Sequence, residues 1–181
     1  RRTVIRHIMK PVPDGYGYTW IATDYGVNKF DGYRFTQFIH HPDDSTTVNS
    51  NVVTALYCDK DGQLWVGTSK GIDCFDYASN TFVHYPFADG ARPRVRKMTQ
   101  LSDGKLVACT SGFHGLYVIG QKENKIFQEG NADMHFVNSI MQDSQGRFWQ
   151  SCNDLVFSMR DATGVHNLTS TTGFVVEFSE R

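Results

Sequence analysis

Short apolar runs cut by polar turns recur along the chain, and many of them are apolar at successive positions. Leu64-Trp65-Val66 is the clearest such run. Strict apolar–polar alternation marks a strand with one wet face; a continuous apolar run marks one covered on both faces. No apolar period of about 3.6 residues persists over a helical length. The pattern therefore predicts an all-β chain whose strands are packed from both sides.

The same text repeats. Gly62-Gln63-Leu64-Trp65-Val66-Gly67-Thr68-Ser69-Lys70-Gly71-Ile72-Asp73-Cys74-Phe75-Asp76 has a drifting copy beginning at Gly17, a third at Gly104 and a fourth at Gly146. Trp20, Trp65, Val107 and Trp149 hold equivalent places, spaced by 45, 42 and 42 residues. Each copy predicts four short strands. The first unit has an apolar stretch over Val4–Met9, broken by Pro11, Pro13, Asp14 and Gly15, then Thr19–Thr23, Val27–Phe30 and Arg34–Ile39. The Asp31-Gly32 step between the last two signals a hairpin, since a type I′ turn needs positive φ at both central residues. The second unit has Val52–Cys58, Leu64–Thr68, Ile72–Phe75 and Thr81–Tyr85. The third has Val95–Leu101, Lys105–Thr110, Leu116–Ile119 and Lys125–Gln128. The fourth has Phe136–Gln142, Phe148–Cys152, Leu155–Met159 and Val165–Leu168, and residues 173–180 begin a further element. A repeat of 40 to 45 residues made of four strands reads as a β-propeller blade. The blades fall at about 1–46, 47–90, 91–132 and 133–181, and the three tryptophans are expected to pack between them.

Composition narrows the classes. An aromatic fraction of 13% supplies a packed core rather than a disordered chain. Eighteen basic against nineteen acidic side chains leave a net charge of −1, too little for a nucleic-acid surface. The basic excess is confined to Arg92-Pro93-Arg94-Val95-Arg96-Lys97, either a solvated loop or an anion contact. No run nears the roughly 20 apolar residues of a membrane span, and Arg1-Arg2 lead into no signal-peptide core, so an export signal is expected to have been removed. Cys58, Cys74, Cys109 and Cys152 are isolated in separate strands, as small buried hydrophobes rather than a disulfide or zinc framework.

Aligned, the copies read Asp-x-x-Gly-x-x-Trp-x-Gly-Thr-x-x-Gly-(Ile/Leu)-x-x-Phe-Asp, which resembles the two-component regulator propeller repeat. Residues 59–76 carry it as Asp59, Gly62, Trp65, Gly67, Thr68, Gly71, Ile72, Phe75 and Asp76. The first copy keeps Asp14, Gly17, Trp20, Thr23, Gly26, Phe30 and Asp31. The third loses the Trp to Val107, and the fourth has Ser151-Cys152 for the Gly-Thr pair. The resemblance implies the periplasmic sensor region of a hybrid two-component histidine kinase of the Bacteroides type. In that family arrays of these blades form two seven-bladed propellers, followed by a β-sandwich, a membrane helix and a kinase. Many members sense oligosaccharides and control polysaccharide-utilisation genes. Four units are fewer than one such ring, so the chain is expected to join a larger array, in a protein that dimerises. The implied partners are an oligosaccharide or other small ligand and the rest of the array, with no nucleic acid contact, no cofactor and no catalysis by this piece. The alternatives are a polysaccharide-degrading propeller enzyme, lyase or hydrolase, and a protein-interaction scaffold.

Motifs for catalysis are thin. Gly67-Thr68-Ser69-Lys70-Gly71 has the form of a nucleophile elbow, but a strand rather than a helix is expected after it. The histidines show no metal spacing. His40-His41 beside Asp43-Asp44, and Asp59-x-Asp61-Gly62, read better as loop and turn chemistry than as cation sites. The ligand face of a propeller is formed by the blade-to-blade linkers and the turns between second and third strands. Tyr25, Lys70, Arg94, Arg96, Phe113 and His114 are the candidates there, with Arg suited to uronates or sulfates.

Overall fold

The structure, a computed structural model, describes residues 11–23, 25–111, 115–120, 125–129, 137–152, 156–161 and 164–169, with the backbone alone for 125–129, 138, 152, 156–161 and 164–169. Among these residues there is no helix, and every strand belongs to one of four antiparallel meanders. The first sheet is β1 (Val12–Pro13), β2 (Thr19–Thr23), β3 (Gly26–Phe30) and β4 (Phe35–Phe38). The second is β5 (Val53–Cys58), β6 (Leu64–Thr68), β7 (Ile72–Asp76) and β8 (Thr81–Tyr85). The third is β9 (Val95–Gln100), β10 (Leu106–Thr110), β11 (Leu116–Gly120) and β12 (Lys125–Glu129). The fourth is β13 (Val137–Gln142), β14 (Phe148–Cys152), β15 (Val156–Asp161) and β16 (Gly164–Thr169).

In each sheet the strands lie side by side in chain order. The first strands β1, β5, β9 and β13 touch their counterparts in the neighbouring sheets. They are the inner edge, around which the sheets stand as propeller blades; β4, β8, β12 and β16 form the outer edge. The expected first strand over Val4–Met9 lies outside the described residues. The short β1 falls instead on Val12–Pro13, paired with Trp20 and Thr19. Proline is tolerated there because an edge strand has no partner on its free side.

The unalternating apolar runs are explained by the blade stack. β6 and β10 are buried at every position. Along β6, Leu64 and Val66 join Trp20, Ala22 and Val27 of the first blade, while Trp65 joins Val95, Met98 and Leu106 of the third. Along β10, Leu106 and Ala108 face back into that same cluster, and Val107 and Cys109 face forward onto Val137 and Ile140. Alternation survives, but both faces are dry. Close blade contact also fixes Gly67: a Cβ there would lie 2.6 Å from Val95 Cγ1. Trp20 and Trp65 are thus inter-blade residues, as expected, at 0% and 1% exposure.

The Asp31-Gly32 turn departs from type I′. Only Gly32 has positive φ, at 96°. The hairpin closes at Phe30 opposite Phe35, leaving a four-residue connection. The Asp31 carboxylate accepts hydrogen bonds from the Tyr33 and Arg34 amides at 2.8 and 2.7 Å. That side-chain cap replaces the second positive φ and lengthens the loop.

Candidate functional site

Antiparallel meanders put the second-to-third-strand turns and the blade linkers at one end of the propeller, and the other two turns at the opposite end. Main-chain hydrogen bonds weld the first group together. Ser69 N donates to Val52 O at 2.9 Å, and Ser111 N donates to Arg94 O at 2.8 Å, in equivalent places of blades two and three. Gly26 N of the first blade donates to Asn51 O of the linker at 2.7 Å.

In the first three blades a threonine caps this turn. Tyr25 N and Lys70 N donate to Thr23 and Thr68 Oγ1 at 3.2 and 3.0 Å, and Thr110 Oγ1 donates to Gly115 O at 3.2 Å. Tyr25 is 54% exposed, and Lys70 is exposed as well. Arg94 and Arg96 are exposed on either side of Val95, which is wholly buried. These four candidates therefore lie on one end of the molecule, distributed over three successive blades. Phe113 and His114 lie outside the described residues.

The sequence reading missed a buried polar cluster behind this surface. Asp73, wholly buried in β7, accepts from Asn49 N at 2.8 Å, from Asn49 Nδ2 at 2.8 Å and from His84 Nδ1 at 2.7 Å. It ties the linker from blade one to the third and fourth strands of blade two. Burial pushes the Asp73 carboxyl up against the pull of these donors, and the hydrogen bond to Asp73 holds His84 above the ordinary imidazole value. The visible signal was an acid placed inside the apolar run Ile72-Asp73-Cys74-Phe75.

Other motifs resolve into loop chemistry. The Ser69 hydroxyl meets Ser50 Oγ at 2.9 Å, and the turn leads into strand β7, so no nucleophile elbow is built. His40 Nδ1 pairs with Val48 O at 2.9 Å, and Asp44 Oδ1 accepts from Thr46 N and Oγ1. Asp59 Oδ1 accepts from the Asp61 and Gln63 amides at 3.0 and 2.9 Å, which uses it as a turn cap. Among the described residues no three His, Cys, Asp or Glu side chains gather as metal ligands. The thiols of Cys58 and Cys74 are both raised by burial, Cys74 to about 12, which disfavours the reactive thiolate.

Residues 47–70, running from the linker through β5 and β6 to the turn that bears Lys70, match the family described as two component regulator propeller. The segment is similar to a two-component regulator propeller repeat. Solved structures agree with the blade architecture. The extracellular domain of BT3049 from B. thetaiotaomicron, assigned as a hybrid two-component system, superposes with a TM-score of 0.78 at 17% identity over 92% of this chain and 25% of that one. The extracellular domain of BT4673 of the same organism gives 0.74 at 22% identity over 89% and 25%. A virginiamycin B lyase from Staphylococcus aureus, in an inactive H270A form with quinupristin, gives 0.68 at 11% over 92% and 56%. The chain thus spans about a quarter of the two-component domains it resembles. No curated protein matches it significantly.

Proposed function

We propose that this chain is part of the extracytoplasmic ligand-sensing region of a hybrid two-component signalling protein. It binds an oligosaccharide on the face that bears Tyr25, Lys70, Arg94 and Arg96, without consuming it. The observation that carries this reading is the repeat text at residues 47–70, set in blades that superpose on extracellular two-component domains. Further blades complete the ring in the natural protein, which is held in the inner membrane and faces the periplasm. Ligand binding favours one arrangement of paired sensor regions, and that difference in affinity biases a histidine kinase across the membrane. The output is expression of polysaccharide-utilisation genes.

The test is a transcriptional reporter for those genes in the natural host, grown on oligosaccharides of defined length. One class of sugar should induce it, and Tyr25→Ala or Lys70→Ala should raise the concentration needed. Induction unchanged in a strain lacking the protein would remove the sensor role. A polysaccharide lyase or hydrolase is the second reading, since the same propeller fold also carries enzymes such as the virginiamycin B lyase. It would require acid–base groups converging on one pocket, and sugar cleavage by the isolated protein would establish it.

A further inference from the structure

Three successive inner strands carry a β-bulge at the same register. Pairing of β5 with β6 slips between Val53 and Ala55. Pairing of β9 with β10 passes from Lys97 opposite Cys109 to Val95 opposite Thr110. Pairing of β13 with β14 slips between Val137 and Ser139. The unpaired residues are Thr54, Arg96 and Asn138, each 42 residues after the last. A bulge bends its strand and re-aims the extra side chain, here on strands whose other edge faces the propeller axis.

Thr54 shows what the position does when its side chain is short. Its hydroxyl reaches Val95 O and so ties blade two to the inner strand of blade three. Among the described residues Arg96 makes no such tie, and its side chain is exposed. Arg94, two residues away across the buried Val95, is on the same side, at the end where the strand enters from the linker. Arg92 adds a third cation to that linker. Among the described residues none of the three has a carboxylate within ion-pair distance. Asp89, the nearest acid before them in sequence, already accepts from Ala91 N at 2.9 Å and from the Tyr117 hydroxyl at 3.1 Å. Like charges crowded within five residues, with no counter-ion among the described residues, repel one another. Guanidinium forks pair with planar or tetrahedral anions through two hydrogen bonds at once.

We propose that Arg94 and Arg96 form an anion subsite at the axial edge of the ligand face, which takes the carboxylate or sulfate ester of an acidic oligosaccharide. The inference rests on the ligand-sensing reading above and narrows its ligand to acidic sugars. Arg96 is placed by the bulge and Arg94 by alternation about Val95.

Isothermal titration of the complete propeller region of the natural protein tests it. The probes are tetragalacturonate, a sulfated glycosaminoglycan tetrasaccharide and neutral galactotetraose, with the sugars analysed afterwards. At least one acidic probe should bind at least about tenfold more tightly than galactotetraose, and added salt should weaken it. Binding by tetragalacturonate alone identifies the carboxylate as the anion, and binding by the sulfated probe alone identifies the sulfate ester. The R94Q/R96Q variant should lose about tenfold or more for the acidic probe. R94K/R96K, which keeps charge but not the fork, should fall between and guard against a folding defect. Equal affinity for galactotetraose, an unaffected R94Q/R96Q variant, or no binding of either acidic probe overturns the subsite. Neutral sugar bound intact would leave the sensor reading standing, whereas recovery of cleaved sugar would end it.

Discussion

Trp65 donates its indole N–H to Asp59 Oδ2 at 2.9 Å, six residues back across the turn that joins the first two strands of its blade. The pair recurs as Trp20 with Asp14 at 2.6 Å and Trp149 with Asp143 at 2.8 Å. In the third blade Val107 replaces the tryptophan and Leu101 replaces the aspartate, so both halves of the bond disappear together. The main-chain turn is nonetheless kept: Leu101 N donates to Lys105 O at 2.8 Å, as Asp59 N donates to Gln63 O at 3.0 Å. The polar pair is therefore one unit. Asp59→Leu alone should cost about 2–4 kcal/mol, because it strands a buried indole N–H and uncaps two turn amides. Adding Trp65→Val should give a total at least about 1 kcal/mol below the sum of the single effects. Urea denaturation of the double-mutant cycle measures this, and strict additivity would show that the two residues act separately.

Gly67 is a contact residue rather than a flexible one. Its missing Cβ makes room for Val95 of the next blade, whose Cβ would stand 2.9 Å from it. Gly67→Ala should destabilise by about 1–3 kcal/mol through overpacking, and Val95→Ala in the same chain should recover part of that. A neutral Gly67→Ala would mean the blades slide apart freely.

Gln100 clasps two blades. Its Oε1 accepts from Lys60 N of the preceding blade at 2.9 Å, and its Nε2 donates to Gly104 O at 3.0 Å. Gln142 repeats this 42 residues on, with Ser102 N at 2.7 Å and Gly146 O at 3.0 Å. Blade two has Cys58 in that place, and there Gly15 N reaches Gly62 O directly at 3.4 Å. Gln100→Ala should cost about 0.5–1.5 kcal/mol, and hydrogen exchange should speed up at the Lys60 amide. Unchanged exchange there would remove the clasp.

His84 gives the fold a pH dependence of predictable sign. Its hydrogen bond to Asp73 raises it above the unfolded value of about 6.5. The contribution is then complete below pH ~6.5 and is lost as pH rises through the folded value. The raised Asp73 carboxyl acts in the same direction at lower pH. Thermal melts should show stability falling as pH rises above ~6.5 in the natural protein, with a flatter profile in His84→Gln. A rise over that range attributable to His84 would contradict the clasp.

Much of this was legible in the sequence because a propeller repeats its text. The period, the strand positions and the inter-blade role of Trp20 and Trp65 follow from aligned residues and from runs that are apolar on both faces. Three things were not legible. The bulges at Thr54, Arg96 and Asn138 depend on pairing register, which a single strand's sequence does not state. The Asp73–Asn49–His84 cluster joins residues separated by up to 35 positions, so only the fold brings them together. The Asp31 cap defeated the turn rule because its side chain, not backbone φ, satisfies the loop. Of the candidate site, the shared end of Tyr25, Lys70, Arg94 and Arg96 was foreseeable from strand parity, whereas the placing of Arg96 depends on the bulge.

The proposed sensing role requires that this face hold a sugar without consuming it. Calorimetry on the complete propeller region with oligosaccharides of defined length, followed by chromatographic recovery of the sugar, tests it most directly. A sensor would give saturable binding, a melting temperature that rises with ligand concentration, and full recovery of intact sugar. Steady conversion of the sugar to shorter products would contradict it and make the protein an enzyme.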